Sequence, residues 1–169
     1  SKSIPLNYKV YVKEHQTMIG KRPKIFYNKL KAFPNVKLIS PFNDNYELIK
    51  NSRLTAVITG TPGWEAILMG IPVITFSDTI YTQIGLSEKC ADFSLLNKMI
   101  RKLLYEDPLI DTKEKEKRLL AYVVSIYNNS ISIDTNDIWG DHVRLGNYNE
   151  NSNMIIKIAN AIEKKINLK

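Results

Sequence analysis

AVITGTPGWEAILMGIPVITF, residues 56–76, decides the fold. An apolar run closes on Thr59, Gly60, Thr61, Pro62 and Gly63, a short helical pattern follows, and Gly70 passes the chain to a second apolar run. This is strand, tight loop, helix and strand, one βαβ unit of a parallel sheet. Thr61 is placed to cap the helix, with Pro62 at the first helical position, where its missing N–H costs nothing. Gly63 leaves no side chain between the helix start and a ligand, and Glu65 falls in the first turn, where a carboxylate suits the dipole. Gly70 takes the left-handed position that ends the helix. Backbone N–H groups at such a helix start can hold a phosphate or another anion. The same glycines equally serve a tight turn with no ligand, and the residues alone leave both readings open.

Upstream, the pattern predicts strands over residues 8–12 and 36–40, a helix over 24–32, and a second helix capped by Asn43 or Asp44 and running to about Lys50. Residues 54–59 and 73–76 complete a β-α-β-α-β-α-β order with short connections. The expected fold is α/β, a Rossmann-like parallel sheet with flanking helices. Beyond residue 81 the periodicity becomes helical over 95–105, 113–125 and 153–166. Residues 128–146 are polar and turn-rich, and read as an irregular connection. One domain over 1–169 is expected, with 92–169 mostly helical.

Composition narrows the function. At 169 residues and 44% hydrophobic, the chain can bury one substantial core. It has no run of about 18 apolar residues, so no helix that spans a membrane is expected. The single Cys90 allows no internal disulfide and suits a reducing compartment; with only two His, it also argues against a dedicated zinc site. Asp137 and Asp141 are too few to hold a metal, and His142, beside Asp141 and Arg144, reads as part of a surface loop. The start of the chain lacks a hydrophobic signal region and an initiator Met, and strand signal begins within about ten residues, as expected of a piece of a longer protein without its preceding domain.

Charge is uneven. Residues 1–53 carry 11 Lys and Arg against 3 Asp and Glu, whereas 54–110 carry 4 against 6 and 111–169 carry 9 against 8. A basic first third suits nucleic acid, an anionic membrane or a phosphorylated substrate, or is simply a solvated helix face. No nucleic-acid-binding motif accompanies it, so a nucleic-acid partner is not expected.

Ligands of open parallel sheets bind beyond the carboxyl ends of the strands. Four clusters fall there: Lys13, Glu14 and His15; Ser40 and Pro41; Gly60 to Glu65; and Ser77 to Tyr81. They are expected to converge on one crevice. Trp64 and Tyr81 read as packing residues.

The blocks VKEHQ (12–16), GKRP (20–23), FPNVKLISPFNDNYELIKNS (33–52) and ITGTPGWEAILMGIPVITF (58–76), with Tyr81, resemble the C-terminal half of bacterial capsule polysaccharide biosynthesis proteins. That family is similar to the β-Kdo transferases of capsule assembly and has GT-B architecture. The resemblance spans about half of the chain. It implies a nucleotide-sugar donor site, with the acceptor held by an N-terminal domain that this chain lacks. His15 would donate to the phosphoryl oxygens of the leaving nucleotide, as the catalytic residue, with Lys13 beside it. Gly60, Thr61 and Gly63 would line the phosphate, Glu65 would bind the ribose hydroxyls, and Ser40 and Pro41 would border the base. Gln16 stands where the family has Pro, which is expected to loosen the turn that aims His15.

The implied activity is that of an inverting glycosyltransferase using CMP-Kdo and needing neither metal nor cofactor. Its general base would lie on the acceptor half, so the isolated chain would bind donor and turn over little. Expected partners are the nucleotide sugar, a glycan or glycolipid acceptor, and capsule-assembly proteins, at a cytoplasmic location peripheral to the inner membrane. The alternatives are a UDP-sugar epimerase-like domain, a teichoic-acid-polymerase-like domain, and a non-catalytic assembly module in capsule export.

Overall fold

The structure, a computed structural model, describes residues 3–5, 7–106, 112–130 and 153–167, with the side chains of 112, 153–155 and 165–167 excepted. The chain forms two compact units, Ser1–Leu119 and Leu120–Lys169. In the first, β1 (Val10–Lys13), α1 (Lys24–Lys31), β2 (Val36–Ile39), α2 (Asn45–Lys50), β3 (Thr55–Val57), α3 (Thr61–Leu68), β4 (Val73–Thr75), β5 (Glu88–Lys89) and α4 (Leu96–Tyr105) follow in order. Helix α5 (Thr112–Asn129) crosses into the second unit, which also holds α6 (Asn153–Asn167).

Among the described residues every strand pairing is parallel, as the β-α-β order predicts. The strands form two ladders: β1 with β2, and β3-β4-β5. The expected α/β class holds. Strand β5 was not legible in the sequence, because two residues are too short a run to show alternation. Residues 131–150, including Asp137, Asp141, His142 and Arg144, lie outside the described residues.

Strand β4 organises the core. All three of its residues are buried, as expected of a parallel strand covered on both faces. Val73 packs with Ile49, Ala66, Ile67 and Tyr81, on the side of α2 and α3. Ile74 points the other way, to Cys90 and Ile100, where Leu96, Met99, Leu103 and Leu104 close over it. Those α4 residues recur at the i, i+3, i+4, i+7 and i+8 spacing of a core-facing helix stripe. Thr75 is wholly buried and its Oγ1 has no hydrogen-bond partner among the described residues. An unmet hydroxyl in the core costs about 1–3 kcal/mol. Thr75→Val, which keeps the shape and removes the hydroxyl, is expected to stabilise the chain by about 1 kcal/mol. A thermal melt that moves downward overturns that expectation.

Helix α3 corrects the sequence reading in detail. Its cap is Gly60, with extended backbone and no side-chain cap bond, so Thr61 and Pro62 are the first and second helical residues rather than cap and first. Glu65 therefore lies one turn inside the helix instead of within the first turn. At the other end Gly70 has φ +76°, with Ile71 N donating to Ala66 O at 2.9 Å and Gly70 N to Ile67 O at 3.1 Å. That pair of bonds closes the helix end as Gly70 predicts. Asp44, not Asn43, caps α2, its Oδ1 accepting from Tyr46 N at 3.0 Å.

Candidate functional site

An open depression of about 490 Å³ lies in the first unit, lined by Lys13, Gln16, residues 42–46, Glu65 and Met69. Three segments meet there: the end of β1, the turn between β2 and α2, and one side of α3. Parallel pairing of β1 with β2 brings the first two together, since both strands then end at the same edge. Lys13 pairs with Ile39 at the last rung of that ladder, so each following loop begins beside the other.

The groups in the depression are chemically distinct. Lys13 Nζ donates to Asn45 Oδ1 at 2.6 Å. Its partner is a neutral amide, so the ammonium charge is held in place without being neutralised. Glu65 offers a carboxylate to the same depression. Phe42 stands 73% exposed at the rim, a large apolar surface left in water. Asn43, Asn45 and Gln16 add neutral donors and acceptors. One ammonium, two carboxylates (Glu65, and Asp44, which also caps α2), amides and the exposed rings of Phe42 and Tyr46 offer partners to a ligand with anionic, hydroxyl and planar parts.

The loop after β1 is built firmly. Glu14 Oε1 accepts from Arg22 Nε at 2.7 Å, and Oε2 accepts from the Tyr27 hydroxyl at 2.8 Å. The guanidinium of Arg22 also lies 4.7 Å from the centre of the Phe26 ring. Accepting that bond, the Glu14 carboxylate favours the protonated phenol and raises the Tyr27 pKa above its ordinary value. Glu14 thus faces away from the depression and ties the loop to α1. His15 is exposed and caps a 3₁₀ turn over Gln16–Met18, its Nδ1 accepting from Thr17 N at 3.3 Å and lying 2.8 Å from Thr17 Oγ1. With Nδ1 accepting, the neutral ring carries its proton on Nε2. Gln16, standing where the family has Pro, takes part in the hydrogen bonds around this turn. Met18 N donates to His15 O at 2.9 Å, and Gln16 Nε2 donates to Pro41 O at 3.4 Å, bridging the loops after β1 and β2.

Of the residues singled out in the sequence, Lys13 and Glu65 line the depression. His15 adjoins it through Gln16, and Ser40 and Pro41 through Phe42. Ser40 is occupied in its own turn, its Oγ accepting from Phe42 N at 3.3 Å and its carbonyl from Asn43 N at 3.1 Å. Gly60, Thr61 and Gly63 are not among the lining residues. Gly63 is buried, and a Cβ there would stand 2.5 Å from Tyr81 Oη and 2.8 Å from Val57 Cγ2. The space left by its missing side chain therefore holds Tyr81, not a ligand. Tyr81 donates to Gly60 O at 2.9 Å and stacks on Trp64, and burial raises the pKa of its hydroxyl. Both aromatics are packing residues, as their setting in the sequence suggests. Gln16 lines the depression with Lys13, from the same element that the resemblance assigns to the donor phosphate; residues 42–46 and Met69 were missed as lining groups, although FNDNY at the end of a strand carried the signal: an aromatic pair around amides and an acid.

Residues 3–109 match the family described as capsule polysaccharide biosynthesis protein. The chain belongs to the capsule polysaccharide biosynthesis family. No curated protein and no solved structure matches it. The family region runs through β1 to α4 and contains every lining residue of the depression, while α5 and α6 lie beyond it. Among the described residues, no helix is long and apolar enough to cross a membrane, and no three His, Cys, Asp or Glu are grouped to hold a metal.

Proposed function

We propose that this capsule biosynthesis domain is the donor-binding part of an inverting GT-B glycosyltransferase, and that its donor is a nucleotide sugar of the CMP-Kdo kind. The observation that supports this reading is the meeting of Lys13, Glu65 and the 42–46 segment on one depression at the carboxyl ends of β1 and β2. Ligands of parallel α/β sheets collect at that edge. Lys13 compensates the phosphate charge and His15 donates through Nε2–H to a phosphoryl oxygen. Glu65 accepts from the vicinal ribose hydroxyls, and Phe42 offers its ring face to the base.

In the transfer, an acceptor hydroxyl attacks the anomeric carbon while the bond from that carbon to the phosphate oxygen breaks. The electron pair leaves on the phosphate, and the hydroxyl proton passes to a carboxylate on the acceptor-binding part. Fixed positive groups beside the departing phosphate lower the barrier because charge grows there in the transition state.

The test is calorimetric titration of the chain with CMP, CDP, UDP and GDP, repeated with Lys13→Ala and Glu65→Ala. Loss of one charged hydrogen bond is worth about 1.5–3 kcal/mol, so each variant is expected to weaken CMP binding roughly tenfold or more, with far-UV circular dichroism unchanged. UDP preference moves the chemistry to the epimerase or teichoic-acid type on the same site. Affinity indifferent to both substitutions, or no binding of any nucleotide, overturns the donor-site reading.

A further inference from the structure

From residue 15 to residue 43 the chain carries Lys21, Arg22, Lys24, Lys29, Lys31 and Lys37 and not one Asp or Glu. Arg22 is engaged, paired with Glu14 and stacked on Phe26. The lysines of α1 are not: none of Lys24, Lys29 and Lys31 enters an ion pair among the described residues. Helix α1 packs on β2 through its half-buried residues Phe26, Tyr27 and Leu30, which leaves Lys24, Ile25, Asn28, Lys29 and Lys31 on the outward side. At 100° per residue, Ile25 falls between Lys24 and Lys29 on that side, and it is 60% exposed.

Two local explanations fall short. Lys29 and Lys31 sit in the last turn, where cations suit the helix dipole, but Lys24 sits in the first turn, where they do not. Solvation accounts for the lysines, and exposed apolar side chains occur elsewhere on the chain, but Ile25 is set among three cations. Exposed Ile19, in the loop leading into α1, adds a second apolar side chain beside the basic stretch. Lysines around an apolar side chain match an interface that is anionic at its surface and apolar just beneath. A nucleic acid or a hydrated glycan would gain from the charge and nothing from Ile25.

We infer that the outward side of α1 is a docking surface for an anionic phospholipid membrane, with Lys24, Lys29 and Lys31 at the headgroups and Ile25 entering the acyl boundary. Contact of this kind is peripheral and reversible, and it is screened by salt. It is independent of nucleotide binding and stands or falls separately from the donor site.

The experiment is co-sedimentation of the full chain with vesicles of phosphatidylcholine alone and of phosphatidylcholine mixed equally with phosphatidylglycerol, at low and at raised salt. Binding only to the anionic vesicles, weakened by salt, is expected. Each basic residue near such a surface contributes about 1 kcal/mol, so the triple variant Lys24→Gln, Lys29→Gln, Lys31→Gln should bind roughly a hundredfold more weakly. Ile25→Ser should lose binding several-fold with the charge intact. A control triple on α5, Lys113→Gln, Lys115→Gln, Lys117→Gln, removes the same net charge and should lose far less. Equal loss in the two triples shows general charge rather than this surface and overturns the inference. So does full binding by the α1 triple, or capture by polyphosphate with none by the vesicles.

Discussion

Ile74→Ala is expected to destabilise the first unit by about 4 kcal/mol, near the top of the range for removing a large aliphatic side chain from a core. The upper end applies because of where Ile74 sits. It is 0% exposed, in the middle of the central strand of the β3-β4-β5 ladder, and β4 is hydrogen-bonded on both sides. Its neighbours Ile100 and the α4 stripe are held in one helix, and Cys90, just after β5, is tied by its N–H to Thr75 O at 2.8 Å, so little collapse into the void is expected. Domains of this size are stable by only about 5–15 kcal/mol, so the variant retains a small margin. Urea unfolding followed by circular dichroism gives the number. A loss below about 1.5 kcal/mol would show that the α4 side of the sheet relaxes freely.

Gly63→Ala is expected to cost about 2–3 kcal/mol even though alanine is the better helix former. Two effects of opposite sign compete. Alanine in place of glycine inside a helix gains up to about 1 kcal/mol. Against that, the new methyl meets Tyr81 Oη at 2.5 Å, Val57 Cγ2 at 2.8 Å and Tyr81 Cζ at 2.9 Å. Neither neighbour yields cheaply. Val57 is held in β3, and Tyr81 is buried, stacked on Trp64 and bonded to Gly60 O. The backbone of Gly63 does not have positive φ, so the penalty is steric and not conformational.

A double-mutant cycle separates these causes. Tyr81→Phe alone should cost about 1 kcal/mol, the net worth of the hydrogen bond to Gly60. Combined with Gly63→Ala it should cost less than the sum by about 1 kcal/mol, because the shortest overlap disappears with the hydroxyl. Strict additivity would mean that the methyl is accommodated elsewhere and that Tyr81 does not occupy the space beneath Gly63.

How far the sequence reached follows the range of the forces involved. Regular elements came from local pattern. The apolar runs at β3 and β4, the helical spacing of residues 96–104, the Asp44 cap and the left-handed Gly70 all act within a few residues, and each appears near its expected place. The parallel α/β class followed from their order, since a strand followed by a helix and a strand closes by a parallel crossover. The capsule family was legible in the same blocks. Boundaries drifted by a residue or two where a cap is made by backbone alone, as at Gly60.

Tertiary structure decided the rest, because it depends on contacts between residues far apart in the chain. Gly63 and Tyr81 lie 18 residues apart, and nothing in TPGWEA alone tells whether the missing Cβ makes room for a ligand or for a tyrosine. The lining of the depression depends on which loops the β1-β2 register sets side by side, so Asn45 meets Lys13 across 32 residues while Gly60 and Thr61 stay outside. Gln16 was read as a lost proline and instead bridges to Pro41, across 25 residues. Local sequence determines which backbone conformations are favourable, and with them the elements of this domain. Which side chains share a site is determined only when packing and strand pairing bring those elements together.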